Sequence, residues 1–175
     1  MTADEPLYRR DPDAWQEHLA EGNAKQARKR VGADAILRDD QGRILLVDPD
    51  YKPDWDLPGG MIEANEPPVD GLIRELKEEL ALQLPPSQLA LACVDWVAPH
   101  GPWDDSLMFI FDGGQLDSDQ MSSLQPDQTE LRRFGFVDLG KAQHLLKPYV
   151  WLRLEAALGA TKSRTVAYLH DGHPA

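Results

Sequence analysis

The segment from Pro67 to Leu80 constrains the fold most, because prolines bracket it and its apolar residues recur with the period of an α-helix. Pro67 and Pro68 stand where a helix can begin without losing a hydrogen bond, and Pro85-Pro86 prevents its extension. The apolar residues lie along one stripe: Val69, Leu72, Ile73, Leu76 and Leu80. A chain of 175 residues with 42% hydrophobic content can bury such a helix against the core of a single domain.

Three carboxylates share one face of the same predicted helix. At about 100° per residue, Glu75, Glu78 and Glu79 fall within an arc of roughly 100° that borders the buried stripe. Like charges at this spacing repel one another, and partial burial raises carboxyl pKa values further. A hard divalent cation such as Mg²⁺ or Mn²⁺ prefers oxygen ligands and suits this cluster. Taken alone, the pattern also fits a solvated acidic face.

The surrounding sequence favours the metal site. From Gly60 to Leu82 the chain reads G-M-I-E-A-N-E-P-P-V-D-G-L-I-R-E-L-K-E-E-L-A-L, which resembles the Nudix box, G-x5-E-x7-R-E-U-x-E-E-x-G-U, where U is aliphatic. The matching positions are Gly60, Glu66, Arg74, Glu75, Leu76, Glu78, Glu79 and Leu82. Ala81 departs from the motif, which has glycine there. We expect a left-handed backbone at this position, at a cost of about 1 kcal/mol for alanine.

The resemblance implies an α/β fold, a Nudix-like α/β/α sandwich with a mixed β-sheet. It also implies a metal-dependent hydrolase that cleaves the pyrophosphate bond of a nucleoside diphosphate linked to another moiety. By similarity, Glu78 and Glu79 are metal ligands, Glu75 is a ligand or the general base, and the Gly59 carbonyl completes the metal shell. Which carboxylate acts as the base stays open. The same resemblance makes Arg74 the residue that holds the acids in place, with Mg²⁺ or Mn²⁺ as the cofactor.

Further candidates lie outside the motif. Glu130 is the first candidate for an additional acid near the metal, and Asp127 is the second. His100 and Trp103 lie in a loop rich in proline and glycine, a usual location for groups that bind substrate. Trp103, Tyr51 or Trp55 could stack on a base, although each aromatic residue could equally serve packing.

The remaining chain divides into three predicted parts: an N-terminal helical arm at 1–30, a Nudix hydrolase domain at 31–158 and a C-terminal tail at 159–175. Asp11 or Asp13 can cap a helix from about residue 14 to residue 28. Alternation and turn residues predict a hairpin from 31–37 and 43–47, followed by a loop that ends at Gly60. Further strands are predicted at 89–97, 107–111, 133–137 and 165–169, and helices at 139–146 and 149–158.

The net charge of the chain limits the classes of molecule that it can bind. A net charge of −12 disfavours duplex nucleic acid, whereas divalent metal ions can bridge an acidic protein to a small anionic nucleotide derivative. The N-terminal residues show no signal peptide and no apolar run is long enough to span a membrane, so we expect a cytoplasmic protein. Cys93 lies in an apolar run, so its thiol is predicted to be buried. A homodimer is compatible with the amphipathic arm.

Two other functions stay open. The chain could be a Nudix-fold sensor that binds a nucleotide derivative and regulates a partner without cleaving the ligand. It could also be an interaction module whose acidic helix is only a solvated surface. Metal binding near Glu78 separates the module from the other two functions, and hydrolysis separates the enzyme from the sensor.

Overall fold

Eight strands form one mixed sheet in the computed structural model, which describes residues 5–175. The strands are β1 Arg30–Arg38, β2 Ile44–Pro49, β3 Gly59–Met61, β4 Ala90–Val97, β5 Ser106–Gln115, β6 Leu131–Val137, β7 Ala167–His170 and β8 His173–Pro174. Their spatial order is β6-β2-β1-β5-β4-β7-β8, and β3 pairs with β1. The β1–β5 and β4–β7 pairs are parallel, and the other pairs are antiparallel.

Helices cover both faces of this sheet. They are α1 Leu7–Arg10, α2 Pro12–Lys25, α3 Pro68–Leu80, α4 Ser118–Ser123, α5 Leu139–Leu145 and α6 Pro148–Ser163, with a 3₁₀ turn at Pro86–Gln88. Side chains alternate across β1, so Ala33, Ala35 and Leu37 join the apolar core beneath α3. Ile36 joins a second core beneath α5 and α6. The predicted α/β sandwich with a mixed sheet is confirmed.

The predicted elements are present, with some changes in their bounds. Asp11 is the cap of α2, since its carboxylate accepts a hydrogen bond from the Ala14 N–H at 3.0 Å, and the helix ends at Lys25. Helix α6 begins at Pro148 and continues to Ser163, beyond the predicted end. The hairpin strands pair only at Arg38 and Ile44, next to their turn, because β3 occupies the same edge of β1 farther along.

Strand β3 and helix α4 are among the elements that were not expected from the sequence. Residues 59–61 form β3 where we predicted a loop, because the backbone of Gly32 and Ala33 in β1 pairs with them. Helix α4 begins with reciprocal hydrogen bonds between Asp117 and Gln120, a capping box that marks the start of a helix. Cys93 is buried as predicted, and burial raises the pKa of its thiol to about 12. Within residues 5–175, every helix is too short or too polar to cross a membrane.

Candidate active site

Helix α3 is anchored by its apolar stripe and ends in a left-handed turn. Leu72, Leu76 and Leu80 are fully buried against β1, and burial of one such side chain contributes about 1.5–3 kcal/mol. Ala81 has φ +55° and ψ +18°, the left-handed conformation expected at this position. Its N–H donates to the Lys77 carbonyl at 3.0 Å. The alanine thus takes the backbone conformation that glycine adopts without strain.

Arg74 holds three carboxylates of the motif in one network. Its Nε and Nη2 donate to the two oxygens of Glu66, each at 3.0 Å, in a bidentate pair. Its Nη1 donates to Glu75 at 2.8 Å and to Glu78 at 3.0 Å, and Nη2 also reaches the Met61 carbonyl at 3.1 Å. The hydrogen bond from Arg74 also lowers the pKa of Glu66. The guanidinium therefore fixes α3 to the loop that precedes it.

Glu79 is the most buried acid of the helix. Its side chain is turned inward, and one carboxylate oxygen accepts a hydrogen bond from the Gly59 N–H at 3.1 Å. Burial raises the pKa of Glu79 to about 8, and the negative charges of Glu75, Glu130 and Asp56 act in the same direction. The hydrogen bond from Gly59 opposes this shift without cancelling it. Without a bound cation, the Glu79 carboxyl group therefore keeps its proton to a higher pH than an ordinary glutamate.

Gly60 allows the Glu75 carboxylate to approach the backbone. A Cβ atom at residue 60 would lie 2.6 Å from the Glu75 carboxyl carbon, which is closer than any side chain permits. Burial raises the pKa of Glu75, while Arg74 acts against the rise. The close contact with Glu75 thus accounts for the glycine at position 60 of the motif. Gly60 lies against Glu75, and its neighbour Gly59 binds Glu79.

The two candidates outside the motif differ in their surroundings. Glu130 is exposed, and its negative charge contributes to the raised pKa values of Glu75 and Glu79. The Asp127 carboxylate instead accepts hydrogen bonds from the N–H and hydroxyl of Thr129 at 2.9 Å and 2.8 Å. One oxygen of Asp127 is therefore engaged in its own turn, and Glu130, whose charge acts on both Glu75 and Glu79, is the better candidate for a ligand.

The donor set fits a hard cation. Glu75, Glu78 and Glu79 each use one oxygen in the hydrogen bonds described above, and the second oxygen of each makes none with residues 5–175. No group of three His, Cys, Asp or Glu side chains in that range is already arranged around a single point. The acids thus have the ligand chemistry and the uncompensated charge for a divalent cation.

A cleft of about 930 Å³ opens beside Gly59, Gly60 and Glu79. The three predicted substrate-binding residues, Tyr51, His100 and Trp103, all line it. Tyr51 and Trp103 are among the most exposed large side chains of the chain, and the guanidinium of Arg30 lies 4.4 Å from the Trp103 ring centroid. Exposed aromatic faces in a cleft of this size suit a nucleobase. Trp55 instead packs against the core beneath α5 and α6.

The loop that carries His100 and Trp103 is fixed by its neighbours. His100 and Trp103 exchange two backbone hydrogen bonds of 3.0 Å. Asp105 accepts a hydrogen bond from the Trp96 indole at 2.8 Å and pairs with Lys29. The Ala98 N–H donates to Asp171 at 2.9 Å, which connects the loop to the C-terminal residues. The aromatic wall of the cleft is therefore supported from several sides.

Asp34, Lys52 and Asp56 are among the polar residues of the cleft that were not predicted. Asp34 is buried in β1, and Lys52 and Asp56 form an ion pair in the loop before β3. Burial raises the pKa of Asp34 well above its usual range, and Asp56 adds to the rise. Asp34 is the one charged residue in the otherwise apolar run 31–37, and this position is the sequence signal that could have indicated it.

Comparison with known proteins identifies the family. Residues 28–157 match the family model of the NUDIX domain. The chain belongs to the Nudix family. The RNA pyrophosphohydrolase of Halorhodospira halophila is 40% identical over 53 residues, which are 30% of this chain and 29% of that relative. The chain thus aligns with less than a third of that relative's length.

Solved structures share the fold. The MutT NUDIX hydrolase of Burkholderia pseudomallei superposes with a TM-score of 0.62 at 24% identity, covering 74% of this chain and 98% of that structure. An ADP-ribose pyrophosphatase of Streptococcus suis superposes with a TM-score of 0.56 at 21% identity, covering 82% of this chain and 99% of that structure. Identities this low establish the Nudix fold and leave the substrate of this chain undetermined.

Proposed function

We propose that this chain is a divalent-metal-dependent pyrophosphohydrolase acting on a nucleoside diphosphate linked to another moiety. One observation carries the proposal. The buried Glu79 lies at the edge of the 930 Å³ cleft, next to Glu75, and forms no ion pair with a cationic side chain among residues 5–175. A divalent cation held by Glu79 would lie where an anionic ligand can enter the cleft. Nudix proteins act on small nucleotide derivatives and generally use divalent metal ions.

The residues of the chain have distinct parts in this activity. Glu75, Glu78 and Glu79, with the Gly59 carbonyl and Glu130, would hold Mg²⁺ or Mn²⁺. A bound divalent cation acidifies an attacking water and stabilises the charge that develops on the diphosphate. Arg74 keeps Glu75 and Glu78 oriented through two hydrogen bonds, so that they do not separate under mutual repulsion.

Glu75 and Glu79 are the candidates for the general base. Glu75 and Glu79 both have raised pKa values, so either can take a proton from water near neutral pH more readily than an ordinary carboxylate. Gly59 and Gly60 have no Cβ atom, so β1 can pack closely against Gly59 and the Glu75 carboxylate can pack closely against Gly60. We assign the general base to this pair of glutamates and leave the choice between them to the pH profile of their variants.

The substrate is proposed to be small. Tyr51 and Trp103 would stack on the base and His100 would contact its edge, since all three line the cleft beyond the glycines. The similar proteins named above include an RNA pyrophosphohydrolase and an ADP-ribose pyrophosphatase. A chain with net charge −12 repels an extended polyanion more strongly than a single nucleotide, which favours the smaller substrate.

The test is a substrate panel with named variants. The purified chain is incubated with nucleoside triphosphates, nucleotide sugars, ADP-ribose, dinucleoside polyphosphates and 5′-triphosphorylated RNA, with Mg²⁺ or Mn²⁺, and the products are identified by mass. We expect cleavage of a diphosphate bond that Glu78→Gln and Glu79→Gln reduce by at least about 100-fold. Glu155→Gln, on the exposed face of α6, is the matched control and should not change turnover.

The outcomes separate the alternatives. Binding of a nucleotide without cleavage under any metal would support a sensor in place of an enzyme. Full turnover by Glu78→Gln and Glu79→Gln would refute the proposed site. The same variants should remain folded, because neutralising one of three crowded carboxylates reduces the repulsion among them.

A further inference from the structure

Asp34 is a buried acidic residue that borders the cleft. It is 6% exposed and lines the cleft wall from β1. Because side chains alternate along the strand, Asp34 lies on the face of Ile36, toward α6, and opposite to the core that contains Ala33 and Ala35. Its strand partner in β3 is Gly59, which places the carboxylate beside the metal-binding end of the cleft.

The carboxylate of Asp34 has no partner among residues 5–175. Neither a hydrogen bond nor an ion pair joins its carboxylate to any residue from 5 to 175. Every side-chain oxygen or nitrogen sealed from solvent in that range does have a partner, so the oxygens of Asp34 are open to the cleft. The other buried aspartates each bond an arginine: Asp39 with Arg43, Asp48 with Arg132 and Arg133, Asp95 with Arg153, and Asp112 with Arg38.

The cations nearest to Asp34 are already engaged. Arg153 donates to Asp95 at 3.0 Å and 2.9 Å, and Lys52 is paired with Asp56. An unpaired buried acceptor costs free energy that a hydrogen-bond donor would recover. Water or a ligand in the cleft can supply this donor. A diphosphate has only acceptors at neutral pH, so within a bound substrate the donor belongs to the nucleoside part.

We propose that Asp34 determines substrate specificity by accepting a hydrogen bond from the nucleoside part of the substrate, either an amino N–H of the base or a ribose hydroxyl. This inference rests on the proposed function. A site built around a buried acceptor discriminates strongly against analogues that lack the donor, because the acceptor then stays unpaired. Asp34 is thus a residue for recognition, separate from the glutamates of α3 that would hold the cation.

The test compares substrates that differ by one donor. Hydrolysis with Mg²⁺ is measured for GTP and ITP, for ATP and purine riboside triphosphate, and for ATP and dATP. Wild type is expected to prefer the donor-bearing member of one pair by about 10- to 100-fold in kcat/KM. Asp34→Val should reduce that preference to about 2-fold or less, mainly by lowering kcat/KM for the donor-bearing substrate. The first two pairs report a base amino group and the third reports a ribose hydroxyl.

Stability gives an independent readout. Asp34→Val should raise the Tm of the ligand-free protein by about 2 °C or more, because it removes an unpaired buried carboxylate. Asp48→Val is the matched control, since Asp48 is equally buried, lies on the neighbouring strand and has arginine partners. That control should lower Tm and retain the substrate preference. Asp34→Asn, which keeps one carbonyl acceptor, should retain part of the preference.

Several results would overturn the inference. Equal discrimination by wild type and Asp34→Val, or a lower Tm for both Asp34 variants, would make Asp34 a structural residue. A loss of Mn²⁺ affinity in Asp34→Val with unchanged discrimination would make it a metal ligand. If wild type cleaves other diphosphates but discriminates within none of these pairs, only the Asp34 inference fails. If it cleaves no diphosphate at all, the proposed function fails together with this inference.

Discussion

Arg74 makes more side-chain contacts to the motif acids than any other cation described here. One planar guanidinium reaches Glu66, Glu75 and Glu78 together with the Met61 carbonyl, at distances of 2.8–3.1 Å. A lysine ammonium is a single point charge and cannot reproduce this fork of donors. The network therefore depends on the shape of the arginine as well as on its charge.

Replacing Arg74 should separate the effect of its planar shape from the effect of its positive charge. We expect Arg74→Lys to lower kcat/KM by about 10- to 100-fold and Arg74→Ala to lower it further, with a loss of about 1–3 kcal/mol in the free energy of unfolding for alanine. Hydrolysis rates and urea unfolding measure the two effects. Arg10→Lys, at an exposed position in α1, is the control. If Arg74→Lys matched wild type in both measurements, the geometry of the network would not matter.

Glu79 predicts how stability depends on pH. Its pKa of about 8 in the folded protein lies above its ordinary value of 4.5, so the folded state holds a proton that the unfolded state releases between these values. The stabilising contribution of protonated Glu79 is complete below pH 4.5 and declines as pH rises toward 8. Without metal, wild type should therefore lose on the order of 2 kcal/mol more than Glu79→Gln between pH 5 and pH 8.

Urea unfolding in a chelating buffer at several pH values measures this difference. The glutamine keeps a carbonyl oxygen for the Gly59 N–H and is uncharged at every pH, so the comparison isolates the proton. Parallel pH profiles for the two proteins would show that Glu79 titrates normally and would remove the electrostatic support for a cation at this position.

At the scale of elements, the end of α3 makes a separate prediction. Ala81 holds φ +55°, where a Cβ atom is unfavourable, so Ala81→Gly should raise the free energy of unfolding by about 1 kcal/mol. Ala20→Gly, at an exposed position within α2, is the matched control and should lower stability by about the same amount. Thermal or urea unfolding of both variants measures these changes in the free energy of unfolding. A destabilising effect of Ala81→Gly would contradict the strained helix end.

The elements that could be predicted from sequence are those with a strong local signal. Helix α3 combines a proline start, an apolar stripe and a defined end, and each of these is readable without knowledge of distant residues. Strand β3 could not be predicted, because residues 59–61 become a strand only through pairing with β1. Helix α4 was missed although the Asp117 and Gln120 pair signals a helix start, since the helix is only 6 residues long.

The same distinction applies to the site. The acids of α3 could be predicted because helical spacing alone places them on one face, and loop composition indicated His100 and Trp103. Tyr51 was predicted as an aromatic residue that could stack on a base. The meeting of Asp34 with the Lys52–Asp56 pair in the cleft could not be predicted, because it depends on how β1 and the loop before β3 pack together. Long-range contact, which sequence periodicity does not report, accounts for this gap.

At the scale of the whole molecule, charge distribution agrees with the proposed reaction. The chain carries a net charge of −12, yet Arg30, Lys52 and Arg153 all border the cleft. Two of these cations are held by carboxylates, which leaves Arg30 beside Trp103 as the cleft arginine without an ion pair among residues 5–175. An anionic ligand therefore needs additional positive charge, which a divalent ion on α3 would provide.

Calorimetric titration of the metal-free chain with Mn²⁺ tests this account most directly. We predict saturable binding to wild type and to Glu155→Gln with the same affinity, and binding at least about 10-fold weaker for Glu78→Gln and Glu79→Gln. Equal Mn²⁺ affinity in all four proteins, or no saturable binding to wild type, would contradict the assignment of the α3 carboxylates as the cation site.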